Sequence, residues 1–265
     1  NLKEPTTRQE FEDMIIAFRD NADLLLGADA DKMIPYSVSF DVGWRAALLI
    51  ESFIDPDISD YEYYVNGFDD RALTQNGTKE AIRLLNKWYN DGLLWDDFAL
   101  YGSGDSTEDD MIKAGYVGAF MHNWDYPYRD GENSIQTNLQ RMVGPDAKFV
   151  VVDCFEDSKG GHNKFITSSA GDRKIFFPTT NTEPLASMMY LDFISSPEVI
   201  EYLQIGEEGV THNKLEDGAV EIIAATGDDI QNSGFNLDYT ITCNGLHLVD
   251  EELTLKSMAY SYSGI

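Results

Sequence analysis

The run Lys113 to Tyr128, KAGYVGAFMHNWDYPY, constrains this chain more than any other stretch. A polar helix end and Gly115 lead into Tyr116 to Met121, an apolar run too short for a helix and rich in strand formers. It reads as a buried strand leaving a sheet. Directly after it stand His122, Asn123, Trp124, Asp125, Tyr126, Pro127 and Tyr128. In open α/β sheets ligands bind beyond strand ends. Flat aromatic faces beside hydrogen-bonding tips suit a molecule with one apolar face and a polar rim, as a sugar ring has. The same residues also fit a strand packed on a helix, with Trp124 as core. The stretch by itself leaves both readings open.

The flanking chain alternates helices with short strands, which means α/β. Thr7 with Glu10 makes a capping box, and Phe11, Met14, Ile15 and Phe18 recur at helical spacing. Met33 to Ser37 is extended. Asp41 can cap a helix from Val42 to Phe53, with Trp44, Ala47, Leu48 and Glu51 on one side. A third helix begins near Thr78 with Ala81, Leu84, Leu85 and Trp88 as its buried stripe, stopped by Asn90-Asp91-Gly92. A short acidic helix, Thr107 to Lys113, precedes the central strand. Beyond it the pattern predicts a helix with Ile135, Leu139 and Met142, and a buried strand over Phe149 to Val152. Strands are expected around Lys164 to Ile166 and Lys174 to Phe177. Helices are expected at Pro184, at Pro197 (ending at Gly206) and around Leu253 to Tyr260, and Val220 to Ala225 fits either element.

Charge narrows the partners. Nineteen Lys and Arg stand against 47 Asp and Glu, a formal charge of −28. That field repels nucleic-acid phosphates and anionic membrane surfaces, and leaves neutral or cationic small ligands open. No apolar run approaches the roughly 18 residues a membrane helix needs. Cys154 and Cys243 form no CxxC pattern, and nothing in their positions requires that they bond to each other. The four histidines (122, 162, 212 and 247) lack metal-ligand spacing, so neither metal nor cofactor is expected.

Taken as an ordered set, PTTRQEFEDMIIAF, KAGYVGAFMHNW and FFPTTNTEPLASMMYLDFISSPEVIEYLQIGEEGV resemble the extracellular solute-binding proteins of bacterial ABC importers. They are most similar to the large carbohydrate-binding lipoproteins of Firmicutes of the LplA-like type. The likeness covers most of Lys3 to Val210. It implies a periplasmic-binding-protein-like fold of type II, with two lobes. Residues 1–157 would form a C-terminal-type lobe carrying the cleft aromatics. Residues 158–265 would form the returning part of the N-terminal lobe plus C-terminal helical segments. That N-terminal lobe would be incomplete, so the strands near Phe165 and Phe176 would show an open edge and an exposed apolar face. The resemblance also implies a sugar or oligosaccharide ligand, ABC permease subunits as partners, and a place on the outer face of the cytoplasmic membrane, held by a lipid anchor outside this chain.

In such a cleft Trp124 would stack on the sugar, with Asn123, His122, Asp125 and Tyr126 as polar partners. Trp44, near Asp41, would be a second platform, or else core. Relatives often carry a calcium-type loop where this chain has Leu26 to Pro35, and Asp29 with Asp31 offer too few oxygens at the right spacing. The rival reading is a glycoside hydrolase drawing its carboxylates from Asp125, Asp130 and Glu132, the one chemistry that would share a sugar cleft. GxSxG, HExxH, P-loop and GxGxxG patterns are absent.

Overall fold

The computed structural model describes residues 2–39, 42–59, 61–66, 75–101, 105–122, 126–128, 133–162, 175–223 and 251–261. It divides into two compact units. The first comprises Asn1–Trp124 and Leu139–Ile166, the second Asp125–Asn138 and Thr167–Ile265.

The first unit is built on a small parallel sheet. Strand β1 (Ile34–Ser37) pairs with β2 (Val117–Phe120), with Ile34 opposite Val117 and Ser37 opposite Phe120. On the other side of β1, Tyr36 N–H donates to Leu93 O (3.0 Å) and Trp95 N–H to Tyr36 O (3.2 Å). Leu94 thereby forms a parallel bridge with Tyr36. Three chain segments thus run in one direction, with β1 in the middle. All four residues of β1 are buried, as a central strand requires.

Helix α1 (Arg8–Asp20) covers this sheet. Thr7 caps it through its side chain to Glu10 N–H, while the Glu10 carboxylate reaches back to Thr6 N–H at 2.8 Å. These bonds hold the Glu10 carboxyl below its usual range, the Thr6 amide being the largest contributor. Phe11 and Ile15 are buried, and Phe18 lies so close to β2 that a Cβ on Gly118 would come within 2.4 Å of its ring. Gly118 is glycine because the helix sits there. Short helix α2 (Ala22–Leu26) and a 3-10 turn (Gly27–Lys32) lead from α1 into β1.

The expected helix from Val42 to Phe53 is two pieces, α3 (Val42–Arg45) and α4 (Ala47–Glu51), broken at Ala46 (φ −117°, ψ 16°). The break lies beside Arg45, whose guanidinium is held by acceptors on other elements. Leu49 and Ile50 face the core, whereas Trp44 is 39% exposed. Its reading as core therefore falls. Helix α5 (Asn76–Asn90) buries Ala81, Leu85 and Trp88 as its spacing predicts, and Gly92 (φ 67°) follows its end. Phe11, Tyr36 and Trp88 meet at ring-centroid distances of 5.2 to 6.2 Å. Helix α6 (Thr107–Lys113) then feeds β2.

Helix α7 (Ile135–Val143) carries Ile135 and Leu139 inward, but Met142 is 70% exposed. Phe149 to Val152 is no strand. Val151 is 84% exposed, while Phe149 meets the Phe120 ring edge-on and Val152 packs on the core. An apolar run that lies across a core looks in sequence like one that joins a ladder, and only backbone pairing separates them. Cys154, two residues on, is buried in the same core, and Cys243 lies outside the described residues.

In the second unit, α8 (Pro184–Ile194) and α9 (Pro197–Ile205) both start on proline, and Gly206 (φ 77°) ends α9. Val220 to Ala225 resolves in part as strand β4 (Val220–Ile222), antiparallel to β3 (His212–Lys214) and packed on α10 (Glu251–Ser261). His212 is buried and directs Nδ1 to Ile205 O at 3.1 Å, so that nitrogen carries the proton. Residues 175–178 form no strand, and Phe176 is 80% exposed. The strand expected at Lys164 to Ile166 lies outside the described residues. Among the described residues, Ile175, Phe176 and Phe177 are exposed and join no strand.

Candidate functional site

The C-terminal edge of the three parallel segments collects the side chains of interest in the first unit. Each segment ends there in a different connection: Trp95 from the first, Val38 and Ser39 from β1, Met121 and His122 from β2. Crossover connections leave such an edge open between them, which is why α/β folds bind there.

Arg45 ties this edge together. Its Nε donates to Ser39 Oγ (3.1 Å), one terminal nitrogen to the Met121 carbonyl, and the other to the Glu108 carboxylate. Glu108 also accepts from Ser37 Oγ at 2.5 Å, and the Tyr36 hydroxyl donates to Arg45 O at 3.3 Å. The Arg45 side chain is 2% exposed and that of Glu108 9%. A buried charge is tolerable only when paired and hydrogen-bonded, and these two are both. Burial pushes the Tyr36 phenol well above its ordinary range, so it stays a neutral donor. Glu108 arrives from the first turn of α6, where carboxylates suit the helix dipole. That turn is set by Asp105, which accepts from Thr107 N–H (2.8 Å) and Oγ1 (2.5 Å) and is held below the usual carboxylate range by them.

Trp44 and His122 come together on this frame. Their rings meet edge to face at 5.0 Å and 80°, with the Arg45 guanidinium carbon 5.2 Å from the Trp44 ring. His122 is half-buried. Of the residues expected in the site, these two are adjacent. Tyr126 is half-buried in the turn 126–128 of the second unit, beside Tyr128, whose phenol is raised by burial. Asp41, Asn123, Trp124 and Asp125 lie outside the described residues, as do Asp130 and Glu132 of the hydrolase reading. Trp95 is 8% exposed and stacks on Tyr101 at 5.0 Å and 15°, at the same edge. Tyr63 is buried and Trp88 is core.

Sequence reasoning passed over Arg45, Glu108 and Ser37. One signal was legible: Arg45 is a lone cation in Trp44-Arg45-Ala46-Ala47-Leu48-Leu49-Ile50. Its partner, 63 residues away, was not.

At the opposite end of β1, Asp29 pairs with Lys32 at 2.7 Å, and the Lys32 ammonium lies 5.0 Å from the Tyr116 ring centre. Among the described residues, no group of three or more His, Cys, Asp or Glu is placed to hold a metal. No described helix is long and apolar enough to cross a membrane.

Comparison with known proteins gives a likeness of fold. No protein-family model matches the chain, and no curated protein does. Among solved structures, the alginate-binding protein AlgQ2, in a form without calcium ion, matches 84% of this chain with a TM-score of 0.51 and 14% identity. The chain spans 44% of that protein's length. At that identity the likeness is one of fold.

Proposed function

We propose that this chain is the ligand-capturing part of a solute-binding protein for a sugar or oligosaccharide. The observation that carries the reading is the Trp44–His122 pair, set on a buried ion pair at the C-terminal edge of a parallel sheet. A partly exposed indole flanked by a hydrogen-bonding imidazole offers one apolar face and one polar tip to a pyranose. The alginate-binding neighbour of similar fold supports a saccharide as the class to test first.

The finer assignment rests on the motif resemblance. In it, Trp124 is the principal stacking platform, with Asn123, Asp125 and Tyr126 completing the hydroxyl contacts and Asp41 beside Trp44. The protein is an LplA-like lipoprotein on the outer face of the cytoplasmic membrane, delivering its ligand to an ABC permease. Residues 1–157 and 158–265 contribute to different lobes, and ligand contacts to both favour a closed state. The protein binds and does not hydrolyse.

A thermal-shift screen over mono- and oligosaccharides tests this. A ligand at 100 times its Kd stabilises the fold by about 2.7 kcal/mol. Chromatography of the incubated sugars separates receptor from hydrolase: saturable binding with intact sugar supports the proposal, and shortened products refute it.

A further inference from the structure

We infer that the site takes a saccharide with no negative charge and excludes uronates, including the polyuronate that its structural neighbour binds. The inference rests on the saccharide reading above and narrows it to a ligand class.

A carboxylate-bearing sugar needs a cation or an array of free donors to replace its hydration. Arg45 lies at this edge, and each of its three side-chain nitrogens already donates within the protein. Its side chain is 2% exposed, and its Nε and both terminal nitrogens donate to Ser39, Met121 and Glu108. With Glu108 beside it the pair carries no net charge. Arg45 therefore braces the edge without presenting charge to a ligand.

What the edge presents instead is acidic. The connection that leaves it at Trp95 and returns at Glu108 carries Asp96, Asp97 and Asp105, and α6 adds Asp109 and Asp110. From Trp95 to Ile112 there is no Lys or Arg. Asp96 and Asp97 are exposed directly beyond the Trp95–Tyr101 stack. The whole chain, at −28, adds a field of the same sign. A uronate approaching Trp44 and His122 enters a field of like sign, to which the exposed Asp96 and Asp97 of the same edge contribute. A neutral hexose carries no charge for that field to act on.

The test uses oligosaccharide pairs that differ only at C6: β-1,4-mannotriose against trimannuronate, cellotriose against its uronate, and α-1,4-galactotriose against trigalacturonate. Calorimetry is run at about 10 mM and about 300 mM salt, where the screening length falls from roughly 30 Å to well under 10 Å. In any pair that binds, the neutral member is expected to bind at least tenfold more tightly at low salt, with the gap narrowing at high salt. In D96N/D97N the gap should narrow at low salt while the neutral member's affinity holds. A uronate that binds as tightly as its neutral partner, or a gap indifferent to salt and to D96N/D97N, overturns this inference and leaves the saccharide reading standing. If neither member of any pair binds, the saccharide reading fails and the charge rule fails with it.

Discussion

Helices α5 and α8 handle apolar residues in opposite ways. Helix α5 keeps Ala81, Leu85 and Trp88 on one stripe and buries it, leaving Lys79, Glu80, Arg83 and Lys87 outside. Helix α8 is apolar nearly all round. Leu185, Met188, Met189, Tyr190 and Phe193 are between 54% and 73% exposed, and Ile194 is its buried residue. A helix hydrophobic on every side belongs in an interior, so α8 has a composition that its described surroundings do not use. The first unit is held together by its own contacts. In the second, the apolar face of α8 stays exposed among the described residues.

The sharpest way to break this contrast is Trp88→Ala, expected to cost about 3–5 kcal/mol because the surrounding rings cannot close the cavity. Urea unfolding followed by tryptophan fluorescence reads the first unit, where Trp44, Trp88 and Trp95 lie. A loss under 1 kcal/mol would mean that its core is no better packed than α8.

Next comes Glu108→Ala, which strands the Arg45 guanidinium and should cost about 3 kcal/mol or more. The double change Arg45→Met with Glu108→Leu should recover most of that, since an apolar pair can replace a buried ion pair. If the double variant is as unstable as the single, the pair stabilises through its hydrogen bonds to Ser37, Ser39 and Met121 more than through charge.

Smaller is the effect on ligand. Once a sugar is identified, Trp44→Ala and Trp124→Ala should each weaken it about tenfold, or 1.4 kcal/mol, with the unfolding midpoint held. Calorimetry decides each separately, and unchanged affinity removes that indole from the site.

Acid should act on the first unit through Asp105 and Asp157. The Asp157 carboxylate accepts from Lys159 N–H (2.7 Å) and Gly161 N–H (3.0 Å) and, with Gly161 as the largest cause, is held below its usual range. A carboxyl depressed in the folded state contributes stability that is complete above its unfolded pKa, about 3.9, and is lost as pH falls through the lower folded value. Stability should therefore be level above about pH 5 and fall below about pH 4. Asp157→Asn, which keeps an acceptor but no charge, should flatten that fall in urea midpoints measured from pH 6 to pH 3.

The smallest effect is reserved for α8. Phe193→Ala or Met189→Ala should change stability by no more than about 0.5 kcal/mol, as at other exposed positions. A loss near that of Trp88→Ala would show that α8 is covered in solution and would end the contrast.

Legibility in the sequence tracked the range of the interaction. Helices α1 and α5 declare themselves because capping and helical spacing act within a few residues, as Thr7 with Glu10 and Leu85 with Trp88 show. The extended β1 and β2 were legible as strands, but their pairing, and the third segment at Leu94, were not, because register is a relation between distant residues. Phe149 to Val152 failed for that reason: its residues suit a ladder that never forms. In the site, aromatic residues stood out by type. The ion pair beneath them was invisible, since acidic residues are so common here that Glu108 looked like any other on the surface.

The parallel pairing of β1 with β2 also sets an order of events. Tyr36 meets Leu94 across 58 residues (94 − 36) and Ile34 meets Val117 across 83 (117 − 34). The extra loop length adds only about 0.3 kcal/mol of closure entropy, so length alone does not separate the two steps. What separates them is the chain in between: α5 can dock and bring Leu94 to β1 before α6 exists, whereas β2 must wait for α6 and its Glu108. During synthesis or refolding, the edge bearing Trp44 and His122 is then completed late, with the slow kinetics typical of non-local parallel pairing. Were the proposed sugar to rest on that edge, it would probe maturation, since it could be held only by chains in which β2 has joined β1.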